Sequence, residues 1–303
     1  MAGFFAIRGG GWLVGKKYYG GQAVIEGVMM RGKETAAVAV RKPNQEIVVH
    51  KLNVYPAAKR WPALKLPILR GMVALVESLT IGMGALTYSA NQAVEEGEEK
   101  LNAKEMALSM VIALVVGVGL FIVLPTVLVR LLRFKEVEGI QIVYMNLLEG
   151  GIRIGIFLLY IIGISLLEDV QRFFEYHGAE HKVIHAFEAG KPLETDQILA
   201  MSSLHPRCGT AFLLYVMVVS ILVFSFLGWQ NIFMRILSRL AFLPLVAGLA
   251  YELIRWGGSI KSPLLGLLLA PGLFLQRLTT RDPDPKQIEV AVRALKEVLA
   301  EEE

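Results

Sequence analysis

The chain has 303 residues, of which 54% are hydrophobic and 19% charged, and its mean hydropathy is +0.53. Soluble domains carry roughly 25% charged residues, so this balance excludes a disordered chain or a nucleic-acid-binding tail, while a lone cysteine, Cys208, excludes a secreted disulfide scaffold. Residues 1–70 hold twelve Lys and Arg against three Glu within a net charge of +4, a basic stretch that marks the cytoplasmic face of an integral membrane protein.

In chain order, residues 1–21 are glycine-rich and lack the continuous apolar run of a signal peptide. The run from Gly27 to Glu34 resembles a phosphate-cradling loop, but Glu34 stands where a magnesium-binding hydroxyl is required. Glu26, just before it, reads as a solvated acid, with a supporting role beside a site as the alternative. Residues 35–40 and 46–52 alternate apolar and polar side chains around Lys42-Pro43-Asn44-Gln45, which predicts a β-hairpin in a small cytoplasmic region, 1–65.

The membrane domain follows over 66–281. A helix needs about 20 apolar residues to cross the hydrocarbon layer, and four spans are expected, at 107–129, 146–167, 209–234 and 236–254. The second carries Glu149 and Arg153, four apart and able to pair on one face. Residues 66–94 are apolar but interrupted by Arg70, Glu77 and several glycines, and read as re-entrant or interfacial; a fifth span is the alternative. Small residues at Ala74, Ser78 and Gly82 suit close helix packing. Residues 262–275 are too few to cross, with a break expected at Pro271-Gly272. At the end, Asp284 reads as an N-cap with Pro285 at the first helical position, and Ile288, Val292, Leu295 and Leu299 form the apolar stripe of a surface helix over 282–303. The expected class is mainly α: a polytopic helical membrane protein with a small N-terminal β-hairpin. Four spans with the N-terminus inside put the loop 168–208 and the C-terminus in the cytoplasm; five spans put both outside.

Four of the five histidines, His177, His181, His185 and His205, lie within that loop. At about 100° per residue, His177, Glu180, His181, His185 and Glu188 share one helix face. Imidazoles one turn apart can hold one cation, and a carboxylate between them can polarise its water. His-x-x-Glu-His is the inverted zincin spacing, with His177 and His181 as ligands and Glu180 as general base. His185, His205 and Cys208 are further candidate ligands, and Glu252 a possible distant one. The nitrogen and sulfur set suits zinc better than magnesium or calcium. The plain alternatives are histidines hydrogen-bonded at the water interface and a buried thiol at Cys208. Charges within apolar runs are functional suspects by default: Glu77, Glu149 and Glu252, with Arg70, Arg153 and Arg255 as partners.

The stretches GQAVIEGVMMRG (21–32), LRGMV (69–73), YSANQ (88–92), EYHGAEHKVIH (175–185), HPRCGT (205–210) and PGLFLQRLTT (271–280) resemble the bacterial YqhQ family. The resemblance covers nearly the whole chain. It implies a membrane protein of unknown function under the general label of a metal-dependent enzyme. The resulting expectation is a zinc-dependent hydrolase of the inner membrane, peptidase-like, acting on a membrane-embedded peptide or lipid-linked substrate. The alternatives are a metal-ion transporter or sensor, and a structural protein with a structural metal site.

Overall fold

A computed structural model describes residues 19–54, 57, 61–94, 102–132, 139–205, 208–228, 231–259 and 263–302. The signal-peptide reading falls mostly on residues 1–18, outside the described residues. Four strands open the fold: β1 (Gly20–Val24), β2 (Gly27–Arg31), β3 (Thr35–Arg41) and β4 (Ile47–Asn53). They form one antiparallel meander in sequence order. The expected hairpin is β3–β4, in register Arg41↔Ile47 to Thr35↔Asn53. The sheet also takes in β1 and β2, which the sequence reading did not assign. Met29 and Met30 are both fully buried, because helices cover both faces of the sheet. A strand buried on both sides shows no alternation to detect.

Ten α-helices among the described residues follow. α1 (Leu69–Gln92) packs against one face of the sheet. α2 (Ala103–Val118) continues through a π-turn at Gly119–Val123 into α3 (Leu124–Leu131). Then come α4 (Ile140–Ile164), α5 (Glu168–Glu188), the short α6 (Thr195–Leu199), α7 (Gly209–Ser225), α8 (Ile232–Ser259), α9 (Pro263–Thr279) and α10 (Pro285–Glu302).

The segments Leu69–Gln92, Lys104–Leu131, Ile140–Ile164 and Ile232–Arg255 are long and apolar enough to cross a bilayer. Four is the expected number, but the set differs. Residues 66–94, read as re-entrant or interfacial, hold α1, one unbroken helix long and apolar enough to span. The run 209–234 is helical only to Ser225, because the chain turns at Gly228 in the left-handed region, φ 70°. The expected break at Pro271-Gly272 is absent, since α9 runs through Pro271. Close packing holds it there, for a Cβ on Gly272 would lie 2.8 Å from Ala211 Cβ and from Tyr215 Oη of α7.

Both faces of the sheet are used. Val24, Met29, Val38 and Val40 pack towards Ala85 of α1. Ala23, Val28, Met30 and Ala39 pack against Tyr176, Ala179 and Val183 of α5 and Ile288, Ala291 and Leu295 of α10. α10 begins as expected: Gln287 N–H donates to Asp284 Oδ1 at 2.7 Å, and Asp284 N–H to Gln287 Oε1 at 2.8 Å. Of the expected stripe, Ile288 and Leu295 are fully buried while Val292 and Leu299 are half-buried. The small residues of α1 do not serve a helix seam throughout, because Gln22 of β1 donates to the Gly82 carbonyl at 3.1 Å.

A candidate metal centre at the start of α7

α5 delivers three of the site residues within little more than one turn: His177, Glu180 and His181, each about 1% exposed. Cys208 arrives from elsewhere, as the N-cap of α7, and is 2% exposed. Close approach of the backbone makes this possible. A Cβ on Gly178 would lie 2.0 Å from the Arg281 carbonyl oxygen, and one on Gly21 would lie 2.7 Å from Glu180 Cγ.

The hydrogen bonds fix what each imidazole offers. His177 Nδ1 lies 2.6 Å from the Thr279 carbonyl and His181 Nδ1 lies 2.5 Å from the Ser203 carbonyl. A carbonyl only accepts, so each Nδ1 carries the proton and each Nε2 keeps its lone pair. Metal-binding histidines commonly spend their second nitrogen in this way. His177 Nε2 is 3.3 Å from Cys208 Sγ. One ligand atom from each of His177, His181 and Cys208 falls within 4.8 Å of the other two. Around a tetrahedral zinc, bond lengths near 2.0–2.3 Å put ligand atoms about 3.4 Å apart; the group needs only a small contraction.

Glu180 completes the arrangement. Its carboxylate accepts from the Gly21 N–H. Its Oε2 is buried without a hydrogen-bond partner and lies 3.6 Å from His181 Nε2, which has no hydrogen-bond partner either. Buried polar atoms are rarely left so. Two orphaned atoms facing one another beside a thiol fit a cation and its water, and the mixed nitrogen and sulfur set fits zinc.

Burial shapes the charges. It holds His177 and His181 below the ordinary imidazole range, in the neutral form that binds metal, and pushes the Glu180 carboxyl up. At Cys208 burial alone would raise the thiol. Attraction to His177, with hydrogen bonds from His177 and Thr210, outweighs it and brings the thiol below its usual value.

The other sequence candidates divide. His205 and His185 flank the group, with ring centroids 5.6 Å between His181 and His205 and 4.7 Å between His185 and His205. His185 Nε2 is engaged by the Leu204 carbonyl at 2.8 Å, and His205 Nε2 lies 3.6 Å from Glu188 Oε2. Neither belongs to the three-ligand group. Glu252 also lies outside that group, with both its oxygens held by Arg70, through Nε at 2.6 Å and through Nη2. Glu26 is not beside the metal group in these contacts but ties the β1–β2 turn to α5, accepting from Arg172 Nη2 at 2.6 Å and Tyr176 Oη at 3.3 Å.

Sequence reasoning missed the residues that hold the ligands in place. Thr279 and Ser203 act through main-chain carbonyls, which carry no residue-type signal. Gln276 is fully buried and clamps the His205 backbone, accepting from its N–H and donating to its carbonyl, both at 2.8 Å. A polar residue on the apolar stretch of α9 was its one available sign.

Residues 66–301 match the family described as "Protein of unknown function (DUF1385)". The uncharacterized protein YqhQ of Bacillus subtilis (strain 168) is 32% identical over 296 residues, spanning 93% of this chain and 92% of that relative. No solved structure matches the chain. The chain therefore belongs to the DUF1385 family of unknown function, together with B. subtilis YqhQ.

Proposed function

We propose that this protein is a zinc-dependent hydrolase acting at the membrane boundary, with His177, His181 and Cys208 as ligands and Glu180 as general base. One observation carries the reading. Two imidazoles have committed Nδ1 to backbone carbonyls; His177 Nε2 lies 3.3 Å from the Cys208 thiol, and His181 Nε2 lies 3.6 Å from an unpartnered carboxylate oxygen of Glu180. Three protein ligands leave a fourth position open, the pattern of catalytic rather than structural zinc.

Zinc bound there would supply a Lewis acid that eases removal of a proton from water. The chain's own groups do the rest. Gly21 N–H holds Glu180 in place and leaves Oε2 to take that proton. The raised Glu180 carboxyl then gives it to the leaving group. Thr279 and Ser203 fix the imidazole rings, and Thr210 Oγ1, 3.0 Å from Cys208 Sγ, orients the thiolate. We place the protein in the inner membrane with its N-terminus on the cytoplasmic side, following the basic N-terminal region.

Near-complete burial of the ligands favours a second reading, a closed structural zinc site. Metal analysis with an activity readout separates the two. Purified wild type should hold about one zinc per chain and cleave a fluorogenic acyl ester in detergent micelles. Glu180→Gln should keep the zinc and lose at least a hundredfold in rate, as expected for a general base. His177→Ala and Cys208→Ala should lose both. Zinc without any Glu180-dependent cleavage would favour the structural site, and metal content unchanged in all variants would remove the centre altogether.

A further inference from the structure

Glu149, Arg153, Arg235 and Arg239 meet where α3, α4, α7 and α8 cross, each no more than 6% exposed. Among the described residues three guanidinium groups here share one carboxylate. Glu149 Oε1 pairs with Arg153 at 2.9 Å and with Arg239 at 2.7 Å, and Oε2 pairs with Arg235 at 2.6 Å. A guanidinium keeps its charge in a protein, so the excess cannot leave as a proton. Charge held inside an apolar bundle is costly unless it is paired.

Two donors in the cluster are unused. Arg239 Nε and Asn146 Nδ2 are buried without a hydrogen-bond partner among the described residues, and both side chains are 4% exposed. They belong to one network, because Asn146 Oδ1 accepts from Arg235 Nη2 at 2.8 Å and Arg235 shares Glu149 with Arg239. That bond also fixes which end of the Asn146 amide is the donor left over. Buried polar atoms are rarely left so. Whatever satisfies a guanidinium N–H and an amide N–H together must be an acceptor.

An acceptor that also carries negative charge meets both needs. Ion pairs of 2.6–2.9 Å draw the guanidinium groups close about Glu149, which suits a single-atom anion better than a phosphate or sulfate. The way in from water is short. At 1.5 Å per residue Arg235 and Arg239 lie about 5 and 10 Å into α8. Arg130, one turn beyond Thr126, is exposed at the end of α3.

We propose that this cluster binds a small monovalent anion of the chloride class, held by Arg239 Nε and Asn146 Nδ2 with the charges of Arg153 and Arg235 beside it. The site is separate from the metal centre. Ser220, which accepts from Arg153 Nη1 at 3.1 Å, is about 18 Å along α7 from Cys208 at that same rise. The anion site therefore does not depend on the hydrolytic reading.

The test uses full-length protein in detergent, with sodium chloride or sodium bromide replaced by sodium gluconate at constant ionic strength. The thermal unfolding midpoint of wild type should rise with chloride and saturate, by about 5 °C at a hundredfold excess over the dissociation constant. Bromide should act like chloride, and the bulky gluconate should not. Asn146→Asp puts a fixed negative charge beside Arg239, so its midpoint should be indifferent to chloride. Arg239→Met removes one of the two unused donors and should weaken chloride binding at least tenfold. Equilibrium dialysis of wild type against radioactive chloride, which needs no variant to fold, should find about one ion per chain. No bound chloride, or a midpoint shift of equal size in wild type and both variants, would overturn the site.

Discussion

At the scale of single residues, the glycines beside the centre matter as much as its ligands. Gly178 adjoins His177 and lets α5 approach the turn after α9 so closely that a methyl group would sit 2.0 Å from the Arg281 carbonyl oxygen. Gly178→Ala should lower stability in detergent by about 1–3 kcal/mol, the usual range for overpacking, and should reduce bound zinc because His177 moves with the backbone. Gly84→Ala is the control. A Cβ there meets nothing within 4 Å, and replacing glycine inside a helix gains roughly 0.5–1 kcal/mol. Thermal unfolding and metal content of the two variants would check both; equal effects would show that the close approach is unimportant. Residue-level chemistry was partly legible. Helical spacing alone placed His177, Glu180 and His181 on one face. Cys208 was named only for its cluster with His205, because its approach to His177 depends on how α7 packs on α9. Sequence reading also offered Glu252 as a ligand because a charge in an apolar run invites a function, and the partner, Arg70, lies 182 residues away.

At the scale of elements, the crossing of α3, α4, α7 and α8 is organised by one carboxylate. Glu149 is 1% exposed; it accepts from Arg153 at 2.9 Å and the Thr126 hydroxyl at 3.1 Å and pairs ionically with Arg239 at 2.7 Å and Arg235 at 2.6 Å. The π-turn between α2 and α3 contributes the Phe121 carbonyl, which accepts from Arg153 Nε at 2.8 Å. The pair Glu149–Arg153 was readable from an i,i+4 spacing, but Arg235 and Arg239 come from a helix more than 80 residues further on. Removing one partner of a buried ion pair costs about 3–5 kcal/mol. Here Glu149→Gln should cost at least that, because it strands three guanidinium groups together. Arg239→Met should cost less, since it also removes like-charge repulsion. Unfolding midpoints of both variants in the same detergent provide the check, and the reverse order would refute this account of the network. The strands show the same limit of sequence reading. β3 and β4 were legible from the apolar-polar runs on either side of the turn at 42–45, although β3 is buried on both faces; β1 and β2, equally covered, have no such run.

At the scale of the whole molecule, a sheet clasped by α5 and α10 sits against helices fit for a bilayer, and the candidate centre lies where the two parts meet. The middle of α5, the start of α7 and the end of α9 converge there, through His177, Cys208 and Thr279. Composition alone pointed to the membrane class, and apolar runs gave the same number of candidate spans as the helices of the fold. The choice of segments depended on contacts. α1 carries Arg70 and Glu77, which made it a poor span on paper, yet Glu252 of α8 and Arg31 of β2 neutralise them. Zinc K-edge X-ray absorption of the purified protein tests the central claim most directly. The account predicts a shell with one sulfur near 2.3 Å and nitrogen or oxygen neighbours near 2.0–2.1 Å, the sulfur vanishing in Cys208→Ser. A wild-type protein that carries no zinc, or whose zinc has no sulfur neighbour, would contradict it.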